Sequence, residues 1–282
     1  MKIRAYLASF AALTLILGLI GCVCGPALVA GGAFDRLLGM DPAWRRTRAA
    51  ARHSRCGAWL FALFRFLMRI RLVVDVPAIP PERRGSCIVV SNHQHTLDIL
   101  LLYEVLRRAH QRDLRWVIKR ELARAPVVGY AVRSIGCAVV SRTGSLDDLR
   151  EIERCAKTAD ADGGSVIIFP EGTRWTPKRG EDSPFRHLLP PKRRGFLALR
   201  KEMPRAPVLS VTVRWERFGA AGKTMYHLAS LFGQTLRVAV RLVPAEEASL
   251  PGWLEREWTR KDEELAAGAS SAARPDEQTS AF

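Results

Sequence analysis

The chain has 282 residues, 44 Lys and Arg against 28 Asp and Glu, a formal net charge of +16, and 48% hydrophobic residues. That length and apolar content exclude a disordered chain and suffice to bury the core of one large domain or two small ones. So basic a balance suits polyanionic partners: nucleic acid, an anionic membrane surface or phosphorylated small molecules.

In chain order, the first feature is a stretch without charge, residues 5–34. As helix it would extend about 45 Å, more than the roughly 30 Å hydrocarbon core of a bilayer. Lys2 and Arg4 before it, and Leu19-Ile20-Gly21-Cys22 within it, raise the alternative of a cleaved secretory or lipoprotein signal. Against cleavage, the apolar run continues to Phe34, beyond the roughly 7 to 15 residues that a signal core needs. Residues 1–34 are therefore expected to be a membrane anchor, either one tilted transmembrane span or a re-entrant pair of helices broken at Gly25-Pro26.

Residues 35–80 form a basic linker. Arg36, Arg45, Arg46, Arg48, Arg52 and Arg55 follow the anchor, and by the positive-inside rule they place the rest of the chain on the cytosolic face of the inner membrane. At 57–72, Trp59, Phe61, Phe64 and Phe66 interleave with Arg65, Arg69 and Arg71. That mixture fits an interfacial amphipathic helix against anionic lipids, or an ordinary helix packed on the domain. The six cysteines have no metal-ligand spacing, and no metal site is expected.

From about residue 86, short apolar runs alternate with helical stretches. Strands are expected at 87–90, 114–118, 137–141, 165–169, 208–213 and 236–242. Helices are expected at 97–108, 122–133, 146–156 and near 195–201. This alternation argues an α/β fold, a mixed, mostly parallel sheet with flanking helices, over residues 81–245. Residues 246–282 hold nine acids and four bases, a net of −5, so the first 245 residues carry +21. They read as an acidic C-terminal helix and, from about Ala266, a disordered tail.

Two constellations carry chemistry, each directly after an apolar strand. The first is Ser91-Asn92-His93-Gln94-His95-Thr96-Leu97-Asp98. Inside one helix, His93 and Asp98 would lie about 140° apart. They converge only if His93 sits in the turn and Asp98 on the first helical turn. An imidazole base steadied by a carboxylate would then be poised to take a proton from an alcohol. The plain alternative is a structural histidine at a strand end. The second constellation is Phe169-Pro170-Glu171-Gly172-Thr173-Arg174-Trp175. Gly172 permits close backbone approach, Thr173 offers a hydroxyl and Arg174 a fork for phosphate oxygens. The alternative is a tight turn with a surface ion pair. Between the two lie Lys119-Arg120-Glu121-Leu122 and Arg142; Leu188-Leu189-Pro190-Pro191-Lys192 and Ala206-Pro207-Val208 follow.

In this order and spacing, these segments resemble the lysophosphatidic acid (glycerolipid) acyltransferase family over roughly residues 85–215. His93 and Asp98 fit its H-x4-D box, residues 119–142 its second block, Phe169 to Arg174 its F-P-E-G-T-R block, and Pro207-Val208 its fourth. The 188–192 stretch looks like the bacterial branch related to lysocardiolipin acyltransferases. The resemblance implies transfer of a fatty acyl group from acyl-CoA or acyl carrier protein, as co-substrate and with no cofactor, to a free hydroxyl of a lysophospholipid. His93 would be the base and Asp98 its orienting partner. Lys119, Arg142, Glu171, Gly172, Thr173 and Arg174 would line the acceptor phosphate and glycerol site. Within that site Glu171 would position Arg174 or an acceptor hydroxyl, with Asn92, His95, Lys192 and Pro207 in support. Many relatives carry serine where this chain has His95, so the base is assigned to His93 by spacing. Two rival classes fare worse. A nucleic-acid binder predicts aromatics among its bases on one exposed surface, yet here they cluster beside the anchor, and no nucleic-acid partner is expected. A lipid hydrolase would be expected to carry a G-x-S-x-G elbow, which this sequence lacks.

Overall fold

The computed structural model describes residues 2–80, 85–111, 113–216 and 231–272. Among these residues, the apolar runs form seven strands: β1 (Arg71–Asp75), β2 (Ile88–Ser91), β3 (Leu114–Lys119), β4 (Ala138–Val140), β5 (Ser165–Ile168), β6 (Val208–Trp215) and β7 (Thr235–Val243). They join one sheet in the order β1-β7-β6-β2-β5-β3-β4. Every pairing is parallel except β6 with β7, so the mixed, mostly parallel sheet implied by the alternating elements is what forms. The helices are α1 (Lys2–Leu19), α2 (Gly25–Leu37), α3 (Pro42–Leu67), α4 (Asp98–Arg108), α5 (Pro126–Ile135), α6 (Leu146–Ala161), α7 (Pro177–Gly180), α8 (Arg193–Glu202), α9 (Ala245–Ala248) and α10 (Trp253–Ala272).

Strand alternation divides the core in two. Val89, Ile167 and Leu209 face one side with Leu101, Leu102 and Val105 of α4 and Phe61 and Phe64 of α3. Ile88, Val90, Val166 and Ile168 face the other with Ile152 of α6, Phe196 of α8 and Trp258 of α10. Both faces of the central strands are thus covered, which is why they read as unbroken apolar runs.

Three features depart from the sequence reading, and a fourth selects between alternatives it left open. The stretch expected as one helix at 122–133 is a 3₁₀ turn, Leu122–Arg124, followed by α5. Pro126 has no N–H to continue a helix but suits the first turn of a new one, so Ala125 turns extended. Residues 2–37 form one continuous helical rod, not a reversing pair: a π-helical segment, Ile20–Cys24, links α1 to α2, absorbing the donor that Pro26 lacks. The expected helix at 57–72 is the end of α3, which stops at Leu67, and the chain leaves it as β1, a strand absent from the sequence reading. Finally, α10 stays helical through Ala272, past the expected start of disorder at Ala266; residues 273–282 lie outside the described residues.

The rod and α3 pack side by side. Ala12, Ile16, Cys24 and Leu28 are buried, while Phe10, Leu15, Leu17, Val23, Val29, Phe34 and Leu37 stay exposed. In α3, Phe61 and Phe64 enter the core, but Trp59 and Phe66, seven residues apart on one face, are 50% and 78% exposed. Three of the arginines after the rod are engaged within the protein. Arg48 and Arg52 pair with buried Asp35, and Arg46 with Asp162 at the end of α6.

Candidate active site

The site is built where β2 and β5 end side by side. Because these strands are parallel and in register at Val90 and Ile168, the segments that follow them emerge together at the carboxyl edge of the sheet, where open α/β sheets place ligands. After Ser91, Asn92 prolongs the strand with its side chain: its Nδ2 donates to the Val213 carbonyl (2.9 Å) and its Oδ1 accepts from the Val213 amide (2.7 Å). Gln94 Oε1 accepts from the Trp215 amide at 3.3 Å. The loop is therefore stitched to the end of β6 before it turns into α4.

The first residue of α4 is Asp98, which is fully buried. Its Oδ2 accepts from His93 Nδ1 (3.0 Å) and from the Gln94 and His95 amides (2.7 Å each). Its Oδ1 accepts from Trp215 Nε1 at 3.0 Å. Four donors converge on one carboxylate and hold it rigid. With Nδ1 donating to it, His93 keeps its Nε2 lone pair free to take a proton. Phe169 stacks on the imidazole, with centroids 4.1 Å apart and an interplanar angle of 18°, fixing the ring plane. His95 is turned differently: its Nδ1 accepts from the Leu97 amide (3.1 Å) and its ring tilts against Trp215.

Both backbone groups of His93 are held by the second constellation. Its amide donates to Glu171 Oε1 at 2.8 Å, and its carbonyl accepts from the Trp175 amide at 2.9 Å. Glu171 is buried, and its other oxygen accepts from the Leu189 amide at 2.9 Å. This gives it a task different from the expected one of positioning Arg174 or an acceptor hydroxyl. It braces His93 and the 189–192 loop from behind the cleft wall. Burial pushes its carboxyl up, to about 8.

A cleft of about 500 Å³ opens in front of His93, with Phe169, Val117, Val140 and Ile152 as its apolar wall. Arg142, Gly172, Lys192, Arg193 and Arg194 line its basic side. Gly172 adopts a left-handed φ of 69°, and a Cβ there would meet Lys192 Nζ at 3.2 Å. Arg142 is also left-handed (φ 65°), on a loop gripped by buried Asp148, which accepts from the Ser141 amide (2.6 Å) and the Gly144 amide (3.3 Å). Burial lowers the pKa of Arg142; Glu121 opposes that and the nearby charge of Arg174 adds to it. Arg174 itself donates to Thr96 Oγ1 at 2.6 Å, over the first constellation. Two guanidiniums within range of each other, one half-buried, repel unless an anion lies between them.

Of the expected site residues, the structure brings His93, Asp98, Arg142, Gly172 and Lys192 together, with Thr173 and Arg174 beside them. Lys119 is outside the cleft lining and pairs with Glu121 at 3.2 Å on an exposed surface. Pro207 stands apart, because it precedes β6 at the amino edge of the sheet, where its carbonyl accepts from the Ile88 amide. Sequence reading missed Trp215, Asp148 and Gln94. Each acts through contacts with a loop or strand end, and nothing in local spacing marks them.

A family model described as "Acyltransferase" matches residues 74–214, half of the chain. A 1-acyl-sn-glycerol-3-phosphate acyltransferase of Helicobacter pylori is 31% identical over 101 residues, 36% of this chain and 40% of that protein. A probable 1-acyl-sn-glycerol-3-phosphate acyltransferase of Arabidopsis thaliana is 25% identical over 245 residues, covering 79% of this chain and 64% of that protein. Both relatives are thus spanned over less than two thirds of their length. Among solved structures, the 1-acyl-sn-glycerophosphate acyltransferase PlsC of Thermotoga maritima superposes with a TM-score of 0.65 over 98% of this chain and 100% of its own, at 21% identity. That likeness establishes the fold.

Proposed function

The chain belongs to the acyltransferase family, and on that premise we propose that it is a membrane-held enzyme moving a fatty acyl group from a thioester to the free hydroxyl of a lysophospholipid. The acceptor is of the lysophosphatidic acid type, and the donor is acyl-CoA or acyl carrier protein. The observation that carries the reading is the His93–Asp98 pair, 3.0 Å apart, at the mouth of a cleft whose other side is Arg142 and Lys192. A base facing an apolar wall and a cationic wall suits an amphiphile with an anionic head.

In the reaction, His93 Nε2 takes the acceptor hydroxyl proton as the oxygen attacks the thioester carbonyl. Asp98 stabilises the imidazolium that forms. Collapse of the tetrahedral intermediate expels the thiolate, which takes the proton back from His93. A thioester is already activated, so no acyl-enzyme is required. Arg142 and Lys192 hold the acceptor phosphate, with Arg174 adding charge at the rim. The exposed apolar face of α1 and α2, a 28-residue candidate span from Phe10 to Leu37, keeps the enzyme on the inner membrane with the sheet on the cytosolic side.

Label transfer from radioactive acyl-CoA and acyl carrier protein to a panel of lysolipids tests this reading. Wild-type membranes should label lysophosphatidic acid, His93→Ala should abolish labelling, and His95→Ala should reduce it only a few-fold. No transfer to any lysolipid from either donor would defeat the proposed activity. Equal and total loss in both variants would defeat the choice of His93 as base.

A further inference from the structure

Strand β6 runs on after its neighbour β2 has ended. Its Val211 lies opposite Ser91, the last residue of β2, and the residues from Thr212 to Trp215 continue beside the loop that carries His93. Antiparallel pairing with β7 supports this extension to its end, where Trp215 lies opposite Leu236. Side chains alternate along a strand. Val211, Val213 and Trp215 join the core on the side of α4, while Thr212 turns to Glu264 of α10. Trp215 is thus the residue of the extension that brings a side-chain donor to the α4 side, and it is 2% exposed.

Two bonds tie Trp215 to the catalytic loop. Its amide donates to Gln94 Oε1 at 3.3 Å, and its indole Nε1 donates to Asp98 Oδ1 at 3.0 Å. The other three donors to Asp98, the His93 ring and the Gln94 and His95 amides, all go to Oδ2. Among the described residues, the indole N–H is therefore what holds Oδ1. A carboxylate gripped at one oxygen can swivel about it, whereas one gripped at both has its plane set. The Oδ2 donors lie within five residues of Asp98 and move with the turn. Trp215 is 117 residues away, on a strand held by β7, so its grip is independent of the turn. Without that donor, Oδ1 would be a fully buried charged oxygen with nothing to satisfy it. A tryptophan that only fills space looks different: Trp253 is buried against Phe196, and its Nε1 has no hydrogen-bond partner among the described residues.

We propose that Trp215 is a positioning residue of the acyl-transfer site: its indole N–H fixes Oδ1 of Asp98, which keeps the carboxylate aimed at His93 Nδ1 while His93 takes the hydroxyl proton. This inference rests on acyl transfer by the His93–Asp98 pair. It places a group on which that pair depends one residue past the region, 74–214, that the family model matches.

The test uses the full chain in membranes with two replacements of Trp215. Trp215→Phe removes the N–H and shrinks the ring; benzothienylalanine keeps the shape of the indole but carries sulfur where the N–H was. Two readouts are taken: kcat and KM for the acceptor, and protection of the Gln94 and His95 amides from hydrogen exchange. With the sulfur analogue, kcat should fall about ten- to hundredfold while KM stays within about twofold. Protection of both amides should fall as well, because the carboxylate that accepts them is freed to turn. In an Asp98→Ala background the same replacement should change the residual kcat by less than about twofold, since nothing is left for the indole to hold. An unchanged kcat with the analogue, or an equal fall in the Asp98→Ala background, would overturn the proposal. So would unchanged protection of both amides, because a residue that merely fills the core leaves them paired when its shape is kept. Should neither replacement fold, the wild type decides: the Trp215 indole proton must exchange together with the Gln94 and His95 amides, and independent exchange sinks the idea. If wild-type membranes transfer no acyl group, the functional reading fails, while the exchange arm still judges Trp215.

Discussion

Asp98 accepts from an imidazole, two backbone amides and an indole, so its replacement separates chemistry from scaffolding. Asn in its place keeps the size but offers one acceptor oxygen, and its amide hydrogens face groups that also donate. Asp98→Asn is expected to lower kcat by about 10²- to 10⁴-fold, because His93 loses the partner that orients it and steadies its charge. KM for the acceptor should change little, since the phosphate contacts we propose lie on Arg142 and Lys192. Stability should fall by about 1–3 kcal/mol from the donors left unpaired. Steady-state kinetics with thermal unfolding checks both, and an unaltered kcat in a folded variant would remove Asp98 from the mechanism. The pairing of His93 with Asp98 was legible because a five-residue spacing across a strand-to-helix turn admits one way for the two to meet. The task of Glu171 was not legible, because its partners are backbone amides 78 and 18 residues away. Backbone amides carry no residue identity for a sequence to display.

Among the elements, α10 shows most plainly what a sequence hides. It was expected only as an acidic C-terminal helix, and Trp253, Leu254, Trp258 and Leu265 enter the core beneath β2 and β5. Its buried Glu257 is held both by Arg260 of the same helix and by Ser210 and Arg241 of β6 and β7, far away in the chain. The strand β1 was lost for a related reason. Arg71–Asp75 is a short edge segment whose pairing to β7 begins at Arg71 with Thr235, so its partner follows more than 160 residues later. The central strands were legible because both faces of each are buried and their apolar runs are unbroken. The docking of α10 has an acid-sensitive component. Against the desolvation that raises it, Arg260, Lys261 and Ser210 bring the Glu257 carboxyl down to about 2 from an ordinary 4.5. Its folded-state pKa is therefore depressed, so the stabilisation is complete above about 4.5 and is lost as pH falls through about 2. The unfolding temperature of the wild type should drop across that window more steeply than that of Glu257→Gln, which cannot titrate there. Parallel slopes for the two proteins would show that Glu257 does not tie α10 to the sheet.

At the scale of the molecule, the active cleft and the apolar helices occupy one end. The start of α5 lies at the carboxyl edge of β3, the same edge at which His93 follows β2, and it packs on the rod of α1 and α2. Gly25 approaches the Val127 side chain, and Tyr130 Oη donates to the Leu28 carbonyl at 3.4 Å. Leu122 and Val128, near that contact in the chain, are exposed. The charge of +16 contributes less to the membrane docking we propose than composition implied, because Arg46, Arg48 and Arg52 are committed to Asp162 and Asp35. Apolar contact must supply much of the affinity. Trp59 and Phe66 are exposed on one face of α3, and burying each in the interface is worth about 2 kcal/mol. The Trp59→Ala/Phe66→Ala variant is therefore expected to bind anionic vesicles roughly 10²- to 10³-fold more weakly. Its unfolding temperature should stay near that of the wild type, since neither ring is part of the core. In cosedimentation with vesicles of phosphatidylglycerol and phosphatidylethanolamine, raising salt should weaken both proteins by a similar, modest factor. Undiminished binding of the double variant would place the outer face of α3 away from lipid and leave membrane attachment to the rod of α1 and α2 alone.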